Sequence, residues 1–151
     1  MTQTGVAGKP IDILLVEDNP GDVRLATEAL KTGRIKNQMH VASDGEEAMD
    51  FLLRKGEFAN APRPDLVLLD LNLPRKDGRE VLAEIKSHPD LRSIPVIILT
   101  TSRSEQDILK AYDLHANCYI AKPIDVEQYW AAIRCFEDFW FTVVKLPGRG
   151  H

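Results

Sequence analysis

LVLLDLNLPRKDG, residues 66–78, runs from four consecutive apolar side chains onto an acid and then through a loop into a helical pattern that begins at Gly78. A short run that is apolar without alternation fits a strand covered on both faces. The strand candidate here is 65–69, and comparable runs at 11–16, 38–42, 94–99 and 116–120 bring the number to five. Amphipathic helical patterns lie between and after them, at about 20–31, 44–54, 78–87, 104–112 and 125–141. Regular alternation of strand and helix predicts a parallel sheet between helices, because parallel neighbours need a crossover and that crossover is right-handed. The expected fold class is α/β, a doubly wound five-stranded parallel sheet with five helices.

Local chemistry supports the helix starts. Asn19 before Pro20 reads as an N-cap followed by a first helical residue, and Ser43 with Glu46 has the spacing of a capping box. RKGEFANAPRP at 54–64 mixes charges with Gly and two Pro residues and is expected to form an exposed loop. The 151 residues fit one domain, expected over 11–146, with flexible ends at 1–10 and 147–151. Apolar residues at 44% and charged residues at 28% match a globular chain. No apolar run approaches the ~20 residues that cross a bilayer, and the first ten residues lack a signal-peptide pattern, so the expected location is the cytoplasm. Cys118 and Cys135 sit in apolar contexts without metal-ligand spacing and read as reduced, packed thiols. A net charge of -4 and the lack of a basic recognition helix argue against nucleic acid as a partner.

Ligands of open α/β sheets bind outside the carboxyl ends of the strands, and four of the five strand candidates end in reactive groups. Glu17 and Asp18 follow the first, Asp70 the third, Thr100 the fourth, and Lys122 with Pro123 the fifth. Three carboxylates gathered in one pocket repel unless a cation offsets them, which implies a hard divalent ion. Mg2+ suits one or two carboxylates, a backbone carbonyl and a phosphoryl oxygen. Asp18 and Asp70 are the expected ligands, with Glu17 acting directly or through water and the Asn72 backbone carbonyl as a further donor. Asp70 could then attack phosphorus to form an aspartyl phosphate, with Lys122 offering a point charge and Thr100 a hydroxyl to the phosphoryl oxygens. The bland alternative is that an acid after a strand is a turn or cap residue and that Lys-Pro marks only a bend. Acid pair, Asp, Thr and Lys-Pro in this order at successive strand ends favour the chemical reading by mutual consistency. The bond before Pro123 is also a candidate cis peptide, an option of low cost only before proline.

These blocks, ILLVEDNP at 13–20, LVLLDLNLPRKDG at 66–78, VIILTTS at 96–102 and YIAKP at 119–123, resemble the receiver domain of two-component response regulators over nearly the whole chain. The resemblance implies a flavodoxin-like receiver fold, Asp70 as phosphoacceptor, Glu17 and Asp18 as metal-binding acids, Thr100 and Lys122 as the phosphoryl-sensing pair, and Tyr119 as an aromatic switch residue. It also implies a sensor histidine kinase as phosphodonor, and a switch with Mg2+-dependent self-phosphorylation and self-dephosphorylation rather than an enzyme. Two departures stand out: Glu17 where many receivers carry Asp, and Lys76 where an apolar residue is common. With Arg75, Lys76 makes a basic loop suited to selecting the kinase partner. EDNPGDVRL at 17–25, FANAPRPDL at 58–66, HANCYIAKP at 115–123 and the aromatic last helix are similar to the regulators paired with bacterial, especially cyanobacterial, phytochromes.

The last helical pattern carries more apolar residues than one stripe needs. Val126, Tyr129, Ile133, Phe136 and Trp140 complete a core face, yet Trp130, Phe139, Phe141, Val143 and Val144 remain. Clustered aromatics of this kind mark interfaces, so a homodimer is expected, with Trp130, Phe139, Trp140 and Val143 as contact candidates. The bland reading is a larger core with the helical extension folded back over it. No output domain is expected after the last helix, so output passes through another, unidentified protein. Two rivals follow from the same residues. A hydrolase using Asp70 is disfavoured because Asn72, not an acid, stands two residues on; a phosphorylation-independent interaction module is disfavoured because Asp70, Thr100 and Lys122 are all present.

Overall fold

The computed structural model describes residues 10–31, 36–100 and 118–121, together with Glu127 and Ala131. Five strands, β1 (Ile11–Val16), β2 (Asn37–Ala42), β3 (Leu66–Asp70), β4 (Val96–Thr100) and β5 (Cys118–Ala121), form one sheet in the order β2-β1-β3-β4-β5. Every neighbouring pair is parallel. Three α-helices, α1 (Pro20–Lys31), α2 (Gly45–Leu53) and α3 (Gly78–Ser87), lie within the described residues. The sheet confirms the doubly wound α/β architecture. The two further helices expected at 104–112 and, apart from Glu127 and Ala131, at 125–141, and the ends at 1–9 and 142–151, lie outside the described residues. Among the described residues no helix is long and apolar enough to cross a membrane.

Side-chain alternation divides the buried residues between the two faces of the sheet. Leu14, Val16, Val67, Leu69, Val96 and Ile98 meet Ala48, Met49, Phe51 and Leu52 of α2 and Val81, Leu82 and Ile85 of α3. Ile13, Leu15, Leu66, Leu68, Ile97 and Leu99 point the other way, onto Ala26, Ala29 and Leu30 of α1. Cover on both sides is why the central strands read as unbroken apolar runs.

The structure shifts several boundaries. β3 begins at Leu66 and includes Asp70, because Asp65 is engaged at the start of β1: its carboxylate accepts from the Asp12 N–H at 2.9 Å and its own N–H donates to the Asp12 carbonyl at 2.7 Å. Asn19 caps α1 as expected, accepting from the Asp22 N–H at 3.0 Å. The capping box expected from Ser43 and Glu46 is displaced by one residue. Asp44 is the N-cap of α2 and accepts from the Glu47 N–H at 2.8 Å, while Glu47 reaches back to the Ser43 N–H at 2.7 Å. A full box sits on α3, where Asp77 accepts from the Arg79 N–H and Glu80 accepts from the Asp77 N–H. The 54–64 loop is mostly exposed, as its composition suggests. It contains a 3-10 turn at Gly56–Phe58, and Phe58 packs on Phe51 with ring centroids 5.6 Å apart.

At Gly45 a β-carbon would overlap the Lys76 carbonyl and stand 2.9 Å from Val81 Cγ2, so the start of α2 and the loop before α3 touch backbone to backbone. Ala at this position has to push two elements apart. Gly45→Ala is expected to lower the unfolding free energy by about 1–3 kcal/mol, read as a fall in the urea midpoint at unchanged m-value.

Candidate metal centre

The acids that follow β1 and end β3 meet at the carboxyl edge of the sheet. Glu17 extends the ladder beyond β1, its N–H donating to the Ala42 carbonyl at 3.0 Å, and is only 1% exposed. Its Oε2 accepts from the Asn19 N–H at 3.2 Å, which turns the chain toward α1. Asp70 is the last residue of β3, in register with Leu99 of β4, and is 2% exposed. Its Oδ1 accepts from the Asn72 N–H at 3.0 Å. Asp18 is exposed at the mouth. One carboxylate oxygen from each of Glu17, Asp18 and Asp70 lies within 4.8 Å of the others.

This donor set fits a divalent cation. Three oxygen donors of full or partial negative charge converge, two from buried residues, and a hard ion takes oxygen ligands while offsetting their mutual repulsion. The Asn72 residue stands at the rim, exposed and tied to Asp70 through its N–H.

The loop that leaves this site is clamped at both ends. Leu71 donates its N–H to the Leu99 carbonyl at 3.0 Å, and Gly78 donates its N–H to the Leu71 carbonyl at 3.2 Å. A β-carbon at Gly78 would lie 2.6 Å from Leu71 Cα and overlap the Asp70 carbonyl, so only glycine permits this approach. Within the loop Arg75 adopts the left-handed conformation with φ 64°. Arg75 pairs with Asp44 at 3.4 Å, Lys76 pairs with Glu84, and Arg79 pairs with Asp77 at 3.0 Å. The Glu84 hydrogen bond holds the Lys76 ammonium pKa above its ordinary value.

Thr100 ends β4 and its backbone is in register with Ala121, the residue before Lys122. That register puts the backbone of Thr100 at the same edge as Asp70. The Thr100 and Tyr119 side chains, Lys122, Pro123, Cys135 and the dimer candidates Trp130, Phe139, Trp140 and Val143 fall outside the described residues. The sequence reading therefore placed Glu17, Asp18 and Asp70 together correctly. It missed Gly78 and the Asp77 capping box, although an acid, a glycine and a second acid three residues on, ahead of Val81 and Leu82, carry that signal.

The family model described as the response regulator receiver domain matches residues 13–134. The chain belongs to the response regulator receiver family. Response regulator Rcp1 of Synechocystis sp. is 51% identical over 138 residues, which covers 91% of this chain and 94% of Rcp1. Among solved structures, the Mn2+-bound form of Rcp1 has a TM-score of 0.77 at 51% identity, covering 92% of this chain and 100% of that one. The phosphorylated cyanobacterial phytochrome response regulator RcpA has a TM-score of 0.78 at 51% identity, covering 93% of this chain and 100% of its own. In this receiver domain the acidic edge is thus the place where a divalent ion fits.

An ion that binds only the folded chain stabilises it by about 2.7 kcal/mol at a hundredfold excess over its Kd. Thermal unfolding is therefore expected to rise by several degrees in millimolar Mg2+ or Mn2+, with the rise reduced in Asp18→Asn and abolished in Asp70→Asn. An equal rise in all three proteins would show the ion binding elsewhere.

Proposed function

We propose that Asp70 of this response regulator accepts a phosphoryl group from a sensor histidine kinase, that Mg2+ is the ion at the acidic edge, and that the kinase is a phytochrome. The observation that carries the proposal is the buried Asp70 carboxylate meeting Glu17 and Asp18 within 4.8 Å at the carboxyl edge. Burial of Glu17 and Asp70 limits contact with bulk water, while the exposed Asp18 marks the side from which a phosphoryl group would enter. The likeness to Mn2+-bound Rcp1 and to a phosphorylated phytochrome response regulator supports both the ion and the partner.

Asp18 and Asp70 would hold Mg2+, with Glu17 acting directly or through water and the Asn72 carbonyl as a further donor. The bound ion would supply charge neutralisation for an approaching phosphoryl group. One Asp70 carboxylate oxygen attacks phosphorus in line, the bond from phosphorus to the histidine nitrogen breaks, and the imidazole leaves with its electron pair. The product is an acyl phosphate on Asp70. The Asn72 N–H holds one carboxylate oxygen of Asp70 and so orients the other. Thr100 and Lys122, one beside β5 in register and one following it, are assigned to the phosphoryl oxygens, and Tyr119 to the relay that follows. The same arrangement would let water attack the acyl phosphate, so the chain resets itself without a second substrate site.

Homodimerisation through the last helix, with Trp130, Phe139, Trp140 and Val143 as contacts, belongs to the same proposal, and so does an effector protein that reads the switched surface. It is supported by the surplus of aromatic residues at 129–141. A monomeric mass by light scattering well above micromolar concentration, with and without phosphorylation, would remove it.

The direct test of the site is phosphate incorporation from a small phosphodonor with Mg2+, followed on a phosphate-affinity gel. The wild-type chain is expected to shift, and the shift is expected to vanish with a chelator and in Asp70→Asn. Absence of any shift, repeated with a phosphorylated histidine kinase, would favour an interaction module that works without phosphorylation.

A further inference from the structure

The loop 72–77 carries two adjacent cations, and the structure separates their fates. Lys76 is spent inside the molecule: its ammonium pairs with Glu84 of α3, and its side chain is 26% exposed. Arg79 is likewise engaged, its guanidinium held by both oxygens of the Asp77 N-cap at 3.1 and 3.0 Å. Arg75 differs. Its side chain is 68% exposed, and its ion pair is a single contact of 3.4 Å to Asp44, whose own side chain is only 14% exposed. One oxygen at that distance occupies one arm of a guanidinium fork, leaving further N–H groups turned to solvent.

The backbone fixes where the loop that carries them sits. Gly78 against Asp70 and Leu71 closes one end of the loop, and Gly45 against Lys76 closes the side facing α2. Arg75 itself is held at φ 64°, a conformation that costs a non-glycine residue and persists where surrounding contacts impose it. Asp70 can be reached only from the carboxyl edge, since its flanks in β3 are buried. A protein that delivers a phosphoryl group to it must therefore lie over this edge, with the 72–77 loop beneath it.

We infer that Arg75, and not Lys76, is a specificity-determining residue of this response regulator, receiving a carboxylate from the surface of the phosphodonor protein. The inference rests on Asp70 being the phosphoacceptor. A planar guanidinium with donors to spare pairs a carboxylate bidentately, and a like or missing charge on the wrong donor leaves it unsatisfied. Charge pairs at the border of an interface act chiefly on the rate of encounter and weaken as salt screens them. Small phosphodonors make no such contact.

The test compares wild type, Arg75→Gln and Lys76→Gln in two arms: labelling by a small phosphodonor with Mg2+, and transfer from an autophosphorylated phytochrome histidine kinase chosen because it labels the wild-type chain. Arg75→Gln is expected to keep small-donor labelling within about twofold while transfer from the kinase slows by about tenfold or more at low salt, and the gap is expected to close in high salt. Lys76→Gln is expected to stay near wild type in both arms. Wild-type transfer by Arg75→Gln, an equal loss in both arms, or an equal effect of Lys76→Gln would overturn the assignment. Phosphate still taken up by Asp70→Asn in either arm would instead remove the reading of Asp70, an outcome that the Arg75 and Lys76 variants cannot produce.

Discussion

Gly78 lies so close to the backbone of Asp70 and Leu71 that no β-carbon fits between them, and the carboxyl edge of the sheet is organised around that contact. It forces the chain that leaves β3 to return at once and start α3 beside the strand it came from. The Asp77 cap and Glu80 complete the turn by satisfying N–H groups that a helix start leaves without intrahelical partners. The loop between is then short, clamped and shaped by backbone. Asp70 at its root and Arg75 near its tip thus belong to one short segment clamped at its ends, with a buried acid and an exposed cation five residues apart.

The sheet supplies the other half of the arrangement. Apolar side chains from β1, β3 and β4 are covered on one face by α2 and α3 and on the other by α1. Burial on that scale offsets the cost of holding two carboxylates, Glu17 and Asp70, almost out of contact with water. Hydrogen bonds from the Asn19 and Asn72 N–H groups offset part of that cost, because a buried acceptor that keeps a donor loses less on leaving water.

Most of the architecture was legible in the sequence because apolar runs and strand-helix alternation are local signals that tertiary contacts here reinforce. The acids Glu17, Asp18 and Asp70 were legible for the same reason: each ends or directly follows a strand, and parallel strands end together. What escaped depended on partners distant in sequence. Nothing near Asp65 says that it will bond Asp12 and thereby start β3 one residue later. At α2, Ser43 and Asp44 are both good caps, and the close fit of Gly45 under Lys76 accompanies Asp44 as the residue that caps the helix. The basic loop shows the limit most clearly. Arg75 and Lys76 are equivalent on paper, and only Glu84 on one side and Asp44 on the other make the first available and the second not.

Phosphorylation at Asp70, as proposed, would sharpen the electrostatic problem that the site already poses. A phosphoryl group adds further negative charge to an edge where three carboxylate oxygens lie within 4.8 Å. A divalent ion is therefore worth more to the phosphorylated form than to the unmodified one, since it then faces a larger charge at the same place. Linkage makes that preference mutual: whatever the ion contributes to the stability of the acyl phosphate, the acyl phosphate contributes to the affinity for the ion. The clamped β3 unit cannot relieve the added charge by moving apart without breaking the Asn72 and Gly78 contacts. If Asp70 is the acceptor proposed above, the response would then come from cations and donors drawn toward it, turning a local change of charge into a change of surface.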